Sequence, residues 1–409
     1  MTAMSRKYIA NLCRAFARAL TVLAVLGIVE GCSTSSRMEA VPVDRTMDAE
    51  IPGIPGARYY THAAQPIIQA AMEGVARESS YLAKQGYEGP LPSVNFLAIS
   101  GGGDNGAFGA GLIVGWTKAG DRPKFKLVTG VSTGALIAPF AFLGSEYDDQ
   151  LEKIYTSISA DDVFESRGIV EIPFSDAAAD NAPLWDLVSQ YADWDMLNAI
   201  AEEYANGRFL LIGTTNLDAR RSVIWDIGAI AASGDPKALD LFHRILIASA
   251  AIPGAFPPVL IDVELDGVAH QEMHVDGGAA AQVFVYPPSI STRNAEKMGV
   301  QRDRTLYVIR NARLDPDWAS VEPHIFSIVA RAISSLIQTQ GVGDLNTIYH
   351  TAKRDGVDYN LAYISSDFTH VHEEAFDTAF MQALFDYAYG LASAGYQWAK
   401  YPPDFAPIE

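Results

Sequence analysis

The sequence predicts an α/β protein with a mostly parallel central sheet and helices on both of its faces. Two observations carry this. Short apolar runs end in glycine turns that open at once into apolar helical runs, first over 94–119 and again over 125–143. Strand-like and helix-like segments then continue to alternate toward the C-terminus, the pattern of strand–helix–strand crossovers.

Taken in order, the run 94–99 reads as a buried strand entering Ser-Gly-Gly-Gly, and 107–119 as a helix closed by Gly120. A second strand over 125–129 leads through Gly130-Val131-Ser132-Thr133-Gly134 into a helix over 135–143. Further strands are expected at 209–214, 223–226, 259–263, 306–310 and 359–364, and helices at 238–250, 325–339 and 373–400. Residues 145–207 are rich in Asp, Trp and Tyr, with a short helix over 194–204. Such an insertion either covers a site or packs on the surface. No repeat or linker divides residues 61–409, which are read as one domain.

With 409 residues, 49% of them hydrophobic, the chain builds a substantial core. Its formal charge of −19 excludes nucleic acid as a partner, because a phosphate-binding face needs clustered Lys and Arg. The one basic run, Arg6, Lys7, Arg14 and Arg18, precedes an apolar stretch at 19–29 that is too short to span a bilayer, the order of a secretory signal over residues 1–31. The following Val29-Glu30-Gly31-Cys32 resembles the lipobox of bacterial lipoproteins, with Glu30 as a departure. That resemblance implies lipidation at Cys32, a tether over 32–60, and a domain anchored on the periplasmic side of the bacterial cell envelope. Ser33 after the Cys is compatible with the outer membrane by the same analogy. The alternatives are an uncleaved anchor or an ordinary signal with an incidental Cys. Cys13 would leave with the signal, so covalent chemistry falls to another side chain.

The strongest local signal is the GxSxG at 130–134, because it lies between a strand and a helix. Gly130 and Gly134 let the chain turn sharply and set the Ser132 hydroxyl at a helix N-terminus, where developing negative charge is favoured. The loop Gly101-Gly102-Gly103-Asp104-Asn105-Gly106 offers backbone N–H groups without a blocking Cβ, as an oxyanion site needs. A nucleotide cradle uses the same geometry, but neither Gly-Lys-Ser/Thr nor GxGxxG is present. Asp276, in His274-Val275-Asp276-Gly277-Gly278, ends a short strand and reads either as a general base or as a plain Asp-Gly-Gly turn.

In this order the glycine loop, the GxSxG turn and the Asp-Gly-Gly resemble the patatin-like phospholipase family. The stretch from Ser249 to Pro258, with its Ser-Ala-x-x-Pro and Phe-Pro-Pro, is similar to the segment that precedes the Asp strand there. The resemblance covers about 94–290. It implies a three-layer α/β/α sandwich and a cofactor-free serine acyl-hydrolase acting on acyl esters of lipids, of phospholipase A or lysophospholipase/esterase type. It further implies Ser132 as nucleophile, Asp276 as its sole partner, and Gly102, Gly103 and Gly106 around the oxyanion. Asn105 stands where many relatives carry Arg or Lys.

Two other readings stay open. One is an α/β-hydrolase with a Ser-His-Asp triad, for which His324, His350, His370 and His372 have the right order and His370 or His372 the best position. The other is a catalytically silent lipid-binding envelope protein. No metal is expected: in His270-Gln271-Glu272-Met273-His274 the Glu falls one place late for HExxH and the pattern is that of a strand.

Overall fold

The computed structural model describes residues 37–166, 175–293, 299–315, 318 and 320–405. The proposed signal segment and Cys32 lie outside the described residues. Residues 40–409 form one compact unit.

Eleven strands lie among the described residues: β1 Arg58–Tyr60, β2 Val94–Ile99, β3 Phe125–Val131, β4 Glu165–Ser166, β5 Ala179–Asp180, β6 Phe209–Asn216, β7 Arg221–Asp226, β8 Val259–Leu265, β9 Val268–Asp276, β10 Arg304–Arg313 and β11 Asp358–Ile364. The main sheet runs β1-β7-β6-β3-β2-β10-β11, and its centre from β6 to β11 is parallel. β1, β7 and the β8–β9 hairpin add antiparallel pairs on the β6 side. β4 and β5 form a separate small ribbon.

The helices are α1 Ala64–Lys84, α2 Gly106–Ala119, α3 Thr133–Leu143, α4 Asp148–Ser157, α5 Ala182–Tyr191, α6 Trp194–Ala205, α7 Ile227–Ala232, α8 Ala238–Ala250, α9 Ile325–Asp355 and α10 Thr378–Ser393. β2 shows how they form layers. Leu97 and Ile99 point into a core shared with α2, α3 and α8, whereas Ala98 points into a second core with Leu345, Ile348 and Ala352 of α9. A strand buried on both faces reads as a continuous apolar run, which is what 94–99 is. The result is the α/β/α sandwich expected of the fold family.

Three expectations need correction. The segment 40–60 is not a free tether: Val41, Ile51, Ile54 and Ala57 are buried in the main core, Glu50 and Glu264 exchange backbone hydrogen bonds, and β1 joins the sheet. The helix expected over 325–339 runs on to Asp355, where Gly356 caps it in the left-handed conformation. The helix expected over 373–400 is only Thr378–Ser393, because Asp377 accepts from the N–H groups of Ala379 and Phe380 and so fixes its start.

β1 is held by charge as well as by its ladder. The buried Arg58 guanidinium pairs with the buried Glu272 of β9. Glu272 also receives Nε2 of His274 at 3.1 Å, and Thr214 bridges Nδ1 of His274 and the Trp225 indole at 2.9 and 2.8 Å. Burial alone would raise the Glu272 carboxyl, but His274 and Arg58 hold it down at about 2. Removing one partner of such a pair leaves an uncompensated buried charge. Arg58→Met is therefore expected to destabilise the domain by about 3–5 kcal/mol, read as a lowered urea midpoint; an unchanged midpoint would show that the strap contributes nothing to stability.

Candidate functional site

Ser132 links the end of β3 to the start of α3 with φ 55° and ψ −129°, a conformation costly for a residue with a Cβ. The flanking glycines are what hold it there. A Cβ on Gly130 would lie 2.4 Å from the Gly134 carbonyl oxygen, and one on Gly134 would lie 2.3 Å from that of Ile99. Turn and neighbouring strand are thus in backbone contact, and any larger residue would force them apart. The Ser132 N–H donates to Oγ of Ser249 at 3.0 Å, and that hydroxyl donates onward to the Gly213 carbonyl at 2.7 Å.

Asp276 ends β9 opposite Thr214 of β6. Its N–H donates to the Ala251 carbonyl at 2.9 Å, and its carboxylate accepts from the Gly278 N–H at 2.7 Å. Burial pushes its pKa up to about 6, while the nearby Ser132 hydroxyl and the Gly278 N–H pull in the opposite direction. The stretch 249–251 therefore ties down both residues, through Ser249 to the serine turn and through Ala251 to the Asp strand.

The glycine loop reaches the same sheet edge. A Cβ on Gly102 would lie 2.1 Å from the Asn311 carbonyl oxygen, and Gly103 has φ 59°. Neither the Gly102 N–H, the Gly103 N–H nor that of Thr133, the first residue of α3, has a hydrogen-bond partner among the described residues. Gly106 differs from the expected arrangement. Its N–H turns back to the Gly103 carbonyl, and its missing Cβ makes room for Thr133, whose Oγ1 would be 2.1 Å away. It is a packing glycine at the start of α2, not an oxyanion donor. Asn105 donates its N–H to the Gly102 carbonyl at 3.2 Å and so closes the turn.

Residues that were not legible as part of the site brace this loop. Ser100 donates to the Gly101 carbonyl at 2.7 Å and accepts from the Asn311 N–H at 2.8 Å. The Asn311 amide donates to the Ser100 carbonyl at 2.9 Å, and buried Arg310 donates to the Gly101 carbonyl at 3.2 Å. Only their place at the end of a predicted strand, 306–310, could have drawn attention to them. Asp104 is pinned from the other side by Nε2 of His372 at 2.6 Å and the Phe376 N–H at 2.8 Å.

Ser132 and Gly103 line a cavity with about 840 Å³ of empty space, its open mouth included. Its walls are almost wholly apolar, and ten of the 21 lining residues, among them Ile154, Leu187 and Met196, come from the insertion 145–207. The insertion therefore supplies nearly half of the wall of the cavity that Ser132 lines.

None of the four triad candidates, His324, His350, His370 and His372, is hydrogen-bonded to Ser132 or Asp276; His372 is bonded to Asp104 instead. Glu272 and His274, from the segment weighed for metal ligation, are occupied by the ion pair with Arg58 and the bond to Thr214.

Residues 97–287 match the family model described as patatin-like phospholipase, so the chain carries a patatin-like phospholipase domain over that segment. Among solved structures it is similar to VipD from Legionella pneumophila, with 10% identity and a TM-score of 0.36 over 75% of this chain and 68% of that one. It is also similar to the type III effector protein ExoU, with 13% identity and a TM-score of 0.19 over 76% of this chain and 56% of that one. The chain thus spans little more than half the length of the latter. No curated protein matches it.

Ser249→Ala would leave the Ser132 N–H and the Gly213 carbonyl buried without their partner. It is expected to destabilise the domain by about 1–3 kcal/mol per orphaned group, measured by urea unfolding; a midpoint equal to that of the native chain would remove Ser249 from the bracing of the turn.

Proposed function

We propose that the chain is a serine acyl-hydrolase of lipid esters, of phospholipase A or lysophospholipase/esterase type, with Ser132 as nucleophile and Asp276 as its general base. One arrangement carries this reading: a strained, buried serine beside a buried carboxyl whose pKa is raised to about 6, on the wall of an apolar cavity. An acid with that pKa is largely ionised at neutral pH and is still basic enough to take a proton as a bond forms.

In the proposed sequence, Asp276 removes the Ser132 proton while Oγ bonds to the acyl carbonyl carbon. The charge that develops on the carbonyl oxygen is met by the N–H groups of Gly102, Gly103 and Thr133, with the N-terminus of α3 adding its dipole. Collapse breaks the ester bond, and Asp276 returns its proton to the departing alkoxide. Water then attacks the acyl-serine with Asp276 again as base, releasing the fatty acid and restoring Ser132. The apolar walls suit an acyl chain, since few polar groups line them to hydrogen-bond a hydrophilic ligand. Lipidation at Cys32, which would hold the domain at the cell envelope, is part of the same proposal and rests on the order of basic, apolar and Gly-Cys residues.

Ser132→Ala and Asp276→Asn are each expected to lower the hydrolysis of a soluble short-chain ester by about 10³-fold or more while the unfolding midpoint is retained. Substantial turnover by either variant contradicts the assignment. Because protonation removes the base, kcat/KM is expected to be flat above about pH 7 and to fall about tenfold per unit below about 6. Activity that stays level down to pH 4.5 would show that Asp276 is not the base.

A further inference from the structure

The contacts of α9 fix how it lies along β10. Leu345, Ile348 and Ala352 share a core with Leu306 and Val308, Gly341 packs on the Arg310 guanidinium, and the Gln338 amide donates to the carbonyl of Arg313, the last residue of β10. The helix therefore runs antiparallel to the strand, and residues 325–337 project beyond the strand's end by about 20 Å. That end belongs to the sheet edge that carries the glycine loop and Ser132, because Ile309 lies level with Ile99 and Ile99 with Gly130.

The projecting part is apolar along one side. Ile325, Ile328, Val329, Ile333, Leu336 and Ile337 recur at helical spacing, and each is between 37% and 72% exposed. Together they present on the order of 500 Å², a size at which exposed patches mark interaction sites, yet short of the roughly 800 Å² per partner of a stable dimer. Residues 325–343 contain no acid and a single charge, Arg331, in a chain whose formal charge is −19.

We propose that this stripe seats the domain on a lipid bilayer, its side chains entering the interface of a zwitterionic membrane and bringing the Ser132 edge of the sheet to the lipid. The choice of lipid as occupant rests on the reading of the site as a lipid hydrolase. The charge pattern sets the kind of surface. A strongly acidic chain is repelled by anionic headgroups, so an uncharged apolar stripe draws on burial of apolar area and not on Coulomb attraction.

The test uses the full chain with phosphatidylcholine vesicles whose acyl chains are brominated. The emission added by Leu336→Trp is expected to be quenched, to the same extent in 0.1 and 0.5 M salt, and less when anionic lipid is mixed in. Adding Ile328→Ser and Ile333→Ser should abolish that extra quenching while turnover of a soluble short-chain ester stays unchanged. Added emission that brominated lipid leaves unquenched, quenching that requires anionic lipid, or quenching unaffected by the two serines would overturn the proposal. So would a dimer in sedimentation that the two serines dissolve, since the stripe would then face a second copy. If the native chain fails to cleave the soluble ester, the hydrolase reading falls, and the quenching still decides whether the stripe meets lipid.

Discussion

The arrangement depends on backbone-to-backbone contact at three neighbouring points: Gly130 against Gly134, Gly134 against Ile99, and Gly277 against Gly213. With no Cβ at these positions, the end of β3, the start of α3 and the end of β9 approach far more closely than side chains allow. This crowding keeps Ser132 in a left-handed conformation it would not adopt alone, and it places a carboxyl from a strand more than a hundred residues downstream beside its hydroxyl. Ser249 and Ala251 lock the two ends together, one through a side chain and the other through a carbonyl.

The environment follows from the same packing. Asp276 is cut off from water, so its charged form is disfavoured and its affinity for a proton rises. Only the Gly278 N–H and the Ser132 hydroxyl offset that, and the outcome is a group poised near neutrality. Glu272, four residues earlier on the same strand, is equally buried yet held at about 2 by His274 and Arg58. Two carboxyls on β9 thus diverge in character because one has a cationic partner and the other does not. The first fastens β1 to the sheet, and the second has no cation beside it.

Much of this was legible in the sequence wherever glycine and apolar runs adjoin. The strand–turn–helix units at 94–119 and 125–143, and the pairing of a glycine loop with a serine turn, follow from local chain requirements, and the structure places them as read. What was not legible depended on partners far away in the chain. Gly106 belongs to the same glycine run as Gly103, but the nearness of Thr133 makes it a packing residue. Residues 40–60 have the Pro, Gly and charged composition of a tether, and only the burial of Val41, Ile51, Ile54 and Ala57 and the pairing of β1 with β7 and of Arg58 with Glu272 show that they pack onto the domain. Arg310 and Asn311 sit at an ordinary strand end, and their role in bracing Ser100 and Gly101 comes from the crossover that puts β10 beside β2. The insertion 145–207 lacks strong periodicity, yet it supplies nearly half of the cavity wall.

Activation of the Ser132 hydroxyl by Asp276 is the step on which the proposed chemistry depends. The most direct measurement is the mass of the intact and proteolysed protein after exposure to a fluorophosphonate at neutral pH. One covalent adduct is expected, on Ser132, forming much more slowly once Asp276 is changed to Asn. An unmodified Ser132, or an adduct that forms equally fast without the carboxylate, would contradict it.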